Sequence, residues 1–416
     1  MLTTTRSRLS FMVTFVTLGA AVFGIAPASS APALTTATTK AGAPGAISYA
    51  DDARAVEGSF IAVLHDGTPP DETEKLADEL TAKNKATKAL VYTSALQGFS
   101  FHGSEESALE ISRDPNVAYV AQDIEIGLDA LGVQVGPPSW GLDRIDQRSL
   151  PLDNKYHFPN VAGNVVAYII DTGILLTHQE FGGRAFCGFD PWAMGCATCN
   201  QGHGTHVAGT VGGSRVGVAK GVRIVSVRVF ECLPFTTAAI VIAGINYVAF
   251  SASINPNVRA VANMSLGGGA FAPMDLAVTN AINANVHFSV SAGNSNADAC
   301  LFSPAATPRA TTVGATDIAD NRAGFSNFGT CVDVFAPGVN IFSAWDTANN
   351  AYATLSGTSM ASPHAAGTAA LWRQKFPADN ADQTATALAA NATPGVVINP
   401  GVGSPNLLLF MGMIPV

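Results

Sequence analysis

The chain has 416 residues, 48% of them hydrophobic and 13% charged, which is enough apolar material for two or three folding units. A net charge of −9 excludes a nucleic-acid binder that depends on a basic face. The 40 Gly and 23 Pro follow no collagen-like period.

Residues 1–31 read as a secretory signal. Arg6 and Arg8 begin it, an apolar run from Leu9 to Phe23 follows, and small residues from Ala26 to Ala31 end it. The run is too short for a membrane span. The expected product is therefore secreted, extracellular and free of the membrane once the signal is removed. Residues 32–57, rich in Ala, Thr, Gly and Pro, read as a flexible linker. A small α+β unit follows. Its pattern is a strand at Phe60–Leu64, a helix at Asp71–Asn84 with Leu76 and Leu80 on one face, and strands at Leu90–Tyr92 and Phe99–Phe101. A helix at Glu105–Arg113, stopped by Asp114-Pro115, and a strand at Val117–Val120 complete it. This βαββαβ order is the split, ferredoxin-like arrangement.

From Gly132 onward, strand and helix patterns alternate. Val165–Ile170, Ile224–Val229, Val258–Ala262 and Val286–Val290 are near-continuous apolar runs, as strands of a parallel sheet covered on both faces must be. Helical stretches at Thr237–Ser251 and Met274–Ala284 lie between them. The expected fold is α/β, a doubly wound and mostly parallel sheet, with reactive groups beyond the carboxyl ends of its strands. All six cysteines, Cys187 to Cys331, fall in this part and fit an oxidising destination.

Three polar residues occupy such positions. Asp171 directly follows the first strand. His203 sits in Gly202-His203-Gly204-Thr205-His206, a Gly-rich turn entering a helix. Ser359 sits in Gly357-Thr358-Ser359-Met360-Ala361-Ser362-Pro363-His364, also at a helix start. Each alone reads more readily as a cap or turn residue. Together they supply what acyl transfer needs: a hydroxyl nucleophile, an imidazole to take its proton, and a carboxylate to orient the imidazole. The order Asp, His, Ser is that of the subtilisins, and the lack of G-x-S-x-G around Ser359 disfavours an α/β-hydrolase esterase.

With these segments, and with Trp140–Asp146 and Ser291-Ala-Gly-Asn294, the chain closely resembles the subtilisin-like serine proteases (peptidase S8), in their proteinase K and aqualysin branch. The resemblance implies a peptidase domain over 131–416 and an inhibitory propeptide over 58–130 that is cut near Ala130–Val133. It implies a secreted, self-processed serine endopeptidase of broad specificity, acting as a monomer on protein and peptide substrates, with the propeptide as intramolecular inhibitor and no nucleic-acid partner. Asn294 takes the oxyanion role. Ser265, Leu266, Gly267 and Gly293 match substrate-binding positions. Leu233-Pro234-Phe235-Thr236 departs from the Gly-Ser-Gly-like strand of the family.

The resemblance also implies disulfides Cys199–Cys232 and Cys300–Cys331, leaving Cys187 and Cys196 as a third pair. Cys196 and Cys199 with His203 and His206 mimic zinc spacing. Zinc needs thiolates, and the signal peptide implies oxidation. Calcium is the expected cofactor, at Pro308, Ala310 and Asp333, and at Asp143, Asp146, Gln147 and Asp153. In the second set Lys155 stands where the family has Asn. No organic cofactor is expected. His206 and His364 are read as structural.

Overall fold

The computed structural model describes residues 45–50, 55–124, 132–196, 198–199, 201–412 and 414. The expected signal peptide, most of the linker, and Ala130 and Leu131 of the cleavage region lie outside the described residues. The described residues divide into two compact units, one built from residues 45–50 and 57–123, the other from residues 55–56 and from 124 onward.

In the first unit, strands Ala55–Leu64, Thr87–Tyr92, Gly98–His102 and Val117–Ile124 alternate with helices Pro70–Lys83 and Glu105–Ser112. The longer helix starts on Pro70, has Asp71 and Glu72 in its first turn and Lys83 in its last, as the helix dipole favours. Thr73, Leu76, Ala77 and Leu80 are its buried stripe. Phe60, Phe99 and Phe101 are 2% exposed or less and form the core of this unit. Strand Ile47–Ser48 pairs in parallel with Val120 and Ala121, so the expected linker is already strand there. Ile47 packs against the core of the unit, which gives this short segment a reason to order.

Among the described residues, the second unit carries a sheet of nine strands. Their order is Thr393–Pro394, Leu407–Leu408, Val334–Pro337, Thr311–Thr316, Val286–Ser291, Arg259–Met264, Val165–Asp171, Arg223–Arg228, Ala185–Phe189. All pairings are parallel except the one between Thr393–Pro394 and Leu407–Leu408. The doubly wound reading therefore stands. Alternation along Val165–Asp171 explains its unbroken apolar run. Val165, Ala167 and Ile169 join one core with Val207, Val211, Ala361 and Ala365. Val166, Tyr168 and Ile170 join the opposite core with Val241, Ile245, Val278 and Ala281. Helices His203–Gly212 and Thr358–Lys375 thus cover one face, and Ala238–Ser253 and Ala272–Asn283 the other. Thr237, read as the first helical residue, is the N-cap, its hydroxyl accepting the Ile240 N–H.

Sequence patterns gave no sign of a buried ion pair. Arg144, in helix Trp140–Asp146, is wholly buried, and its guanidinium donates to both oxygens of Asp320 at 2.7 and 3.0 Å. A third donation, to the Gln147 carbonyl at 2.7 Å, fixes the end of that helix.

Candidate active site

Asp171 ends its strand and is 1% exposed. The chain leaves this strand toward Arg223–Arg228 on one side. It leaves the neighbouring strand, Arg259–Met264, toward Val286–Ser291 on the other. A crevice opens at such a reversal. The alternation that places Val165, Ala167 and Ile169 on the face of the His203 and Ser359 helices places Asp171 there too.

His203 is the first residue of its helix. Its Nδ1 lies 2.8 Å from Asp171 Oδ1, and because a carboxylate only accepts, the imidazole N–H donates. The same Oδ1 accepts the Thr172 N–H at 2.8 Å. The Thr172 hydroxyl donates to the Gln201 carbonyl at 2.8 Å and accepts the Gly204 N–H at 3.0 Å, locking the strand end to the start of the helix. Burial favours the neutral imidazole, but the Asp171 charge and hydrogen bond outweigh it, and the His203 pKa is raised above 6.5.

Ser359 lies in the first turn of Thr358–Lys375. Its hydroxyl donates to the Ser265 carbonyl at 3.3 Å rather than to His203, and the Ser265 hydroxyl donates back to the Ser359 carbonyl at 2.7 Å. Beneath them, Asn263 donates to Ser265 Oγ at 2.9 Å and Ser362 donates to Asn263 at 2.8 Å. A loose hydroxyl contact before substrate arrives is ordinary in serine hydrolases.

The Asn294 side-chain oxygen accepts both the N–H and the hydroxyl of Thr358, at 2.8 and 2.9 Å. That fixes which way the amide points, and its Nδ2 is turned toward the start of the Ser359 helix. The position a β-carbon on Gly357 would occupy is 3.6 Å from both Asn294 Nδ2 and Ser359 N. Two nitrogen donors therefore flank one small space at the start of this helix. Asn327, which no motif pointed to, holds this loop. Its Nδ2 donates to the Ala292 carbonyl at 2.8 Å, and its oxygen accepts Ser295 and Ala297 N–H at 2.9 and 3.0 Å. Gly293 has φ +100°, and a β-carbon there would lie 2.4 Å from Asn327 Nδ2, so only glycine fits.

Two hollows adjoin these groups. One, of about 850 Å³, is lined by His203, Phe230, Phe235, Leu266, Phe271 and Met274 among others. The other, of about 280 Å³, is lined by Ser359, Asn294, Gly293 and Phe302. Leu266–Gly269 belong to both and form the wall between them. The expected substrate positions Ser265, Leu266, Gly267 and Gly293 are thus at the site. Residues 233–236 form no strand, and Phe235 is 68% exposed.

The three bridges are Cys187–Cys196, Cys199–Cys232 and Cys300–Cys331. Cys196 and Cys199 thus belong to different bridges, and their sulfurs are not available to zinc. His206 is fully buried with Nε2 on the Ile341 and Ala353 carbonyls; burial, then the charge of His203, pulls it down to about 4. Burial also brings His364 to about 4. Both are neutral core residues.

Neither calcium set contains three His, Cys, Asp or Glu side chains gathered to hold a metal, and no such group occurs among the described residues. Both sets are nevertheless oxygen-only, as a hard cation prefers. Asp333 shares a hollow with Pro308 and Ala310; burial pushes it up to about 6, opposed by the Thr312 N–H at 2.7 Å. Burial pushes Asp146 up to about 7, opposed by the His157 N–H, and the charges of Asp143 and Asp153 add to the rise. Asp143 is raised as well, chiefly by burial. Gln147 Oε1 accepts the Asp153 N–H at 3.3 Å. Lys155, the departure from the family, donates its backbone N–H to Asp153 Oδ1 at 2.9 Å. In the Asp143 and Asp146 set, carboxylates whose charges repel one another are what a divalent cation would relieve, whereas Asp333 is the one carboxylate of its set.

Comparison with known proteins gives a consistent picture. A model of the Peptidase_S8 subtilase family matches residues 162–407. The chain is 51% identical over 322 residues to the "Extracellular serine proteinase" of Thermus sp. (strain Rt41A), covering 77% of each chain. It is 42% identical over 380 residues to "Alkaline serine exoprotease A" of Vibrio alginolyticus, covering 88% of this chain and 70% of that one. The crystal structure of a cold-adapted subtilisin-like serine proteinase superposes with a TM-score of 0.62 and 49% identity, covering 65% of this chain and 97% of that one.

Proposed function

The chain belongs to the subtilase family, and from that premise we propose that this secreted serine endopeptidase works through Asp171, His203 and Ser359, with Asn294 and the Ser359 N–H receiving the oxyanion. The observation that carries the assignment is the Asp171–His203 hydrogen bond at 2.8 Å, with Asn294 Nδ2 and Ser359 N flanking one small space at the start of the Ser359 helix.

His203 Nε2 takes the Ser359 proton as Oγ attacks the scissile carbonyl carbon. The carbonyl oxygen becomes the oxyanion between Asn294 Nδ2 and Ser359 N. His203 then gives its proton to the leaving amine, and the acyl group stays on Oγ. Water, deprotonated by the same imidazole, releases the acid and restores Ser359. Asp171 holds the tautomer that leaves Nε2 free and stabilises the imidazolium. Gly267–Gly269 receive the substrate backbone as an added strand. On the opposite side Pro234 offers no N–H, so substrate residues upstream of the cut are held differently from those of the family. A serine-directed fluorophosphonate should label Ser359, located by peptide mass mapping. Absence of label, or label elsewhere, would overturn the assignment, and ester turnover without amide turnover would favour an esterase.

Residues 58–130 act as an inhibitory propeptide that is removed by self-processing. In support, the first unit has a core of its own, and the solved relative is covered almost whole by 65% of this chain.

Subtilisin-like enzymes commonly bind structural calcium, and in this chain Asp143, Asp146, Gln147 and Asp153 hold one ion and Pro308, Ala310 and Asp333 another. A carboxylate whose folded pKa is raised costs stability once it ionises. Without calcium, Tm should therefore fall as pH rises from about 4 through 7, the range set by Asp146 and Asp333. With calcium the fall should disappear, and Asp146→Asn should abolish much of the calcium effect. Identical thermal inactivation with and without chelator would exclude a structural ion.

A further inference from the structure

Between Glu231 and Asp298 the sequence carries a single acidic residue, Asp275. It lies in the first turn of helix Ala272–Asn283, next to the wall that both hollows share. Gly267, Gly268 and Gly269 have no side chains with which to anchor themselves. Gly268 and Gly269 pair antiparallel with Ser303 and Phe302, and the Ala270 N–H donates to the Leu301 carbonyl at 2.9 Å. The approach is close, since a β-carbon on Gly267 would lie 3.0 Å from the Ser303 carbonyl oxygen.

One carboxylate secures that partner strand. Ser303 Oγ donates to Asp275 Oδ2 at 2.8 Å, and Thr307 Oγ1 donates to Asp275 Oδ1 at 3.0 Å. Ser303 Oγ also accepts the Phe271 N–H at 2.8 Å, so an aromatic residue lining the larger hollow hangs from the same node. The helix behind Asp275 is itself fixed, with Met274, Val278 and Ala281 buried in the core. Charge-assisted hydrogen bonds of this kind are the stronger ones.

We propose that Asp275 is a positioning residue for substrate selectivity. Through Ser303 it holds the Gly267–Gly269 wall at the distance that decides which side chain, next to the scissile bond, enters the smaller hollow. This rests on Ser359 being the nucleophile that faces this hollow.

The test uses the processed enzyme and peptides that differ only in the residue before the cut, one bulky and one small. Asp275→Ala should raise KM for the preferred peptide about tenfold and reduce the preference between the two peptides by a similar factor, the effect of losing one strong hydrogen-bonded anchor. The fall in kcat should be smaller than the rise in KM. Asp275→Asn should restore most of the preference, because its oxygen still accepts one hydroxyl and the other hydroxyl can rotate to accept from its NH₂. Ser303→Ala, which removes the node without touching the carboxylate, should shift the preference in the same direction and serves if Asp275→Ala does not fold. An unchanged preference in a folded Asp275→Ala or Ser303→Ala enzyme that still reacts with fluorophosphonate would overturn the proposal while leaving the nucleophile assignment intact. So would an equal loss of kcat on both peptides without rescue by Asn. Failure of the unaltered enzyme to react at Ser359 would remove the premise instead.

Discussion

Ser359→Ala should lower kcat about 10⁶-fold, the loss known for the nucleophile of a subtilisin, and should leave the precursor uncut. The substitution removes one oxygen that contributes little to the fold, since its bond to the Ser265 carbonyl is long at 3.3 Å. The start of the helix stays anchored by the Ser265 hydroxyl on the Ser359 carbonyl and by Asn294 on Thr358. The variant should therefore fold with a Tm close to that of the parent, so lost activity reads chemistry and not unfolding. The mass of the purified variant should include the first unit, whereas the parent should begin near Ala130–Val133. Efficient self-processing by the pure variant would contradict the nucleophile assignment.

Asp171→Asn should lower kcat about 10⁴-fold, as the equivalent change does in a serine protease of unrelated fold. Asp171 Oδ1 serves two donors, His203 Nδ1 and the Thr172 N–H. If the new amide nitrogen faces His203, it imposes the tautomer whose Nε2 is already protonated. If the oxygen stays there, the tautomer survives but the charge that stabilises the imidazolium is gone. The pH profile should move as well. Activity needs neutral His203, so it rises as pH passes through the His203 pKa. In the parent that pKa is raised above 6.5, because the Asp171 charge and hydrogen bond outweigh burial. With the charge gone, less opposes burial, and the rising limb of kcat/KM should shift to lower pH. A limb that stays in place while Thr172 and His203 remain ordered would show that Asp171 does not set the His203 pKa.

The architecture was legible in the amino-acid pattern, and so were the candidates for the reacting groups. A strand buried on both faces must be apolar at every position, so Val165–Ile170 was legible as a central strand, and alternation then fixed the face on which Asp171 emerges. His203 and Ser359 were legible because residues that open helices beside Gly-rich turns sit in recognisable local patterns. What those patterns could not contain was anything made by side chains far apart in the chain. Arg144 meets Asp320, Asn327 braces Ala292–Ala297, and Asp275 reaches Ser303 and Thr307. Each is a polar residue in an ordinary loop or helix, and its role comes from a hydrogen bond to a partner that only folding brings within 3 Å. Periodicity reports which face a residue occupies, whereas a single long-range hydrogen bond leaves no periodic trace. Only folding therefore shows how the proposed triad, the proposed oxyanion donors and the Gly267–Gly269 wall are held in place.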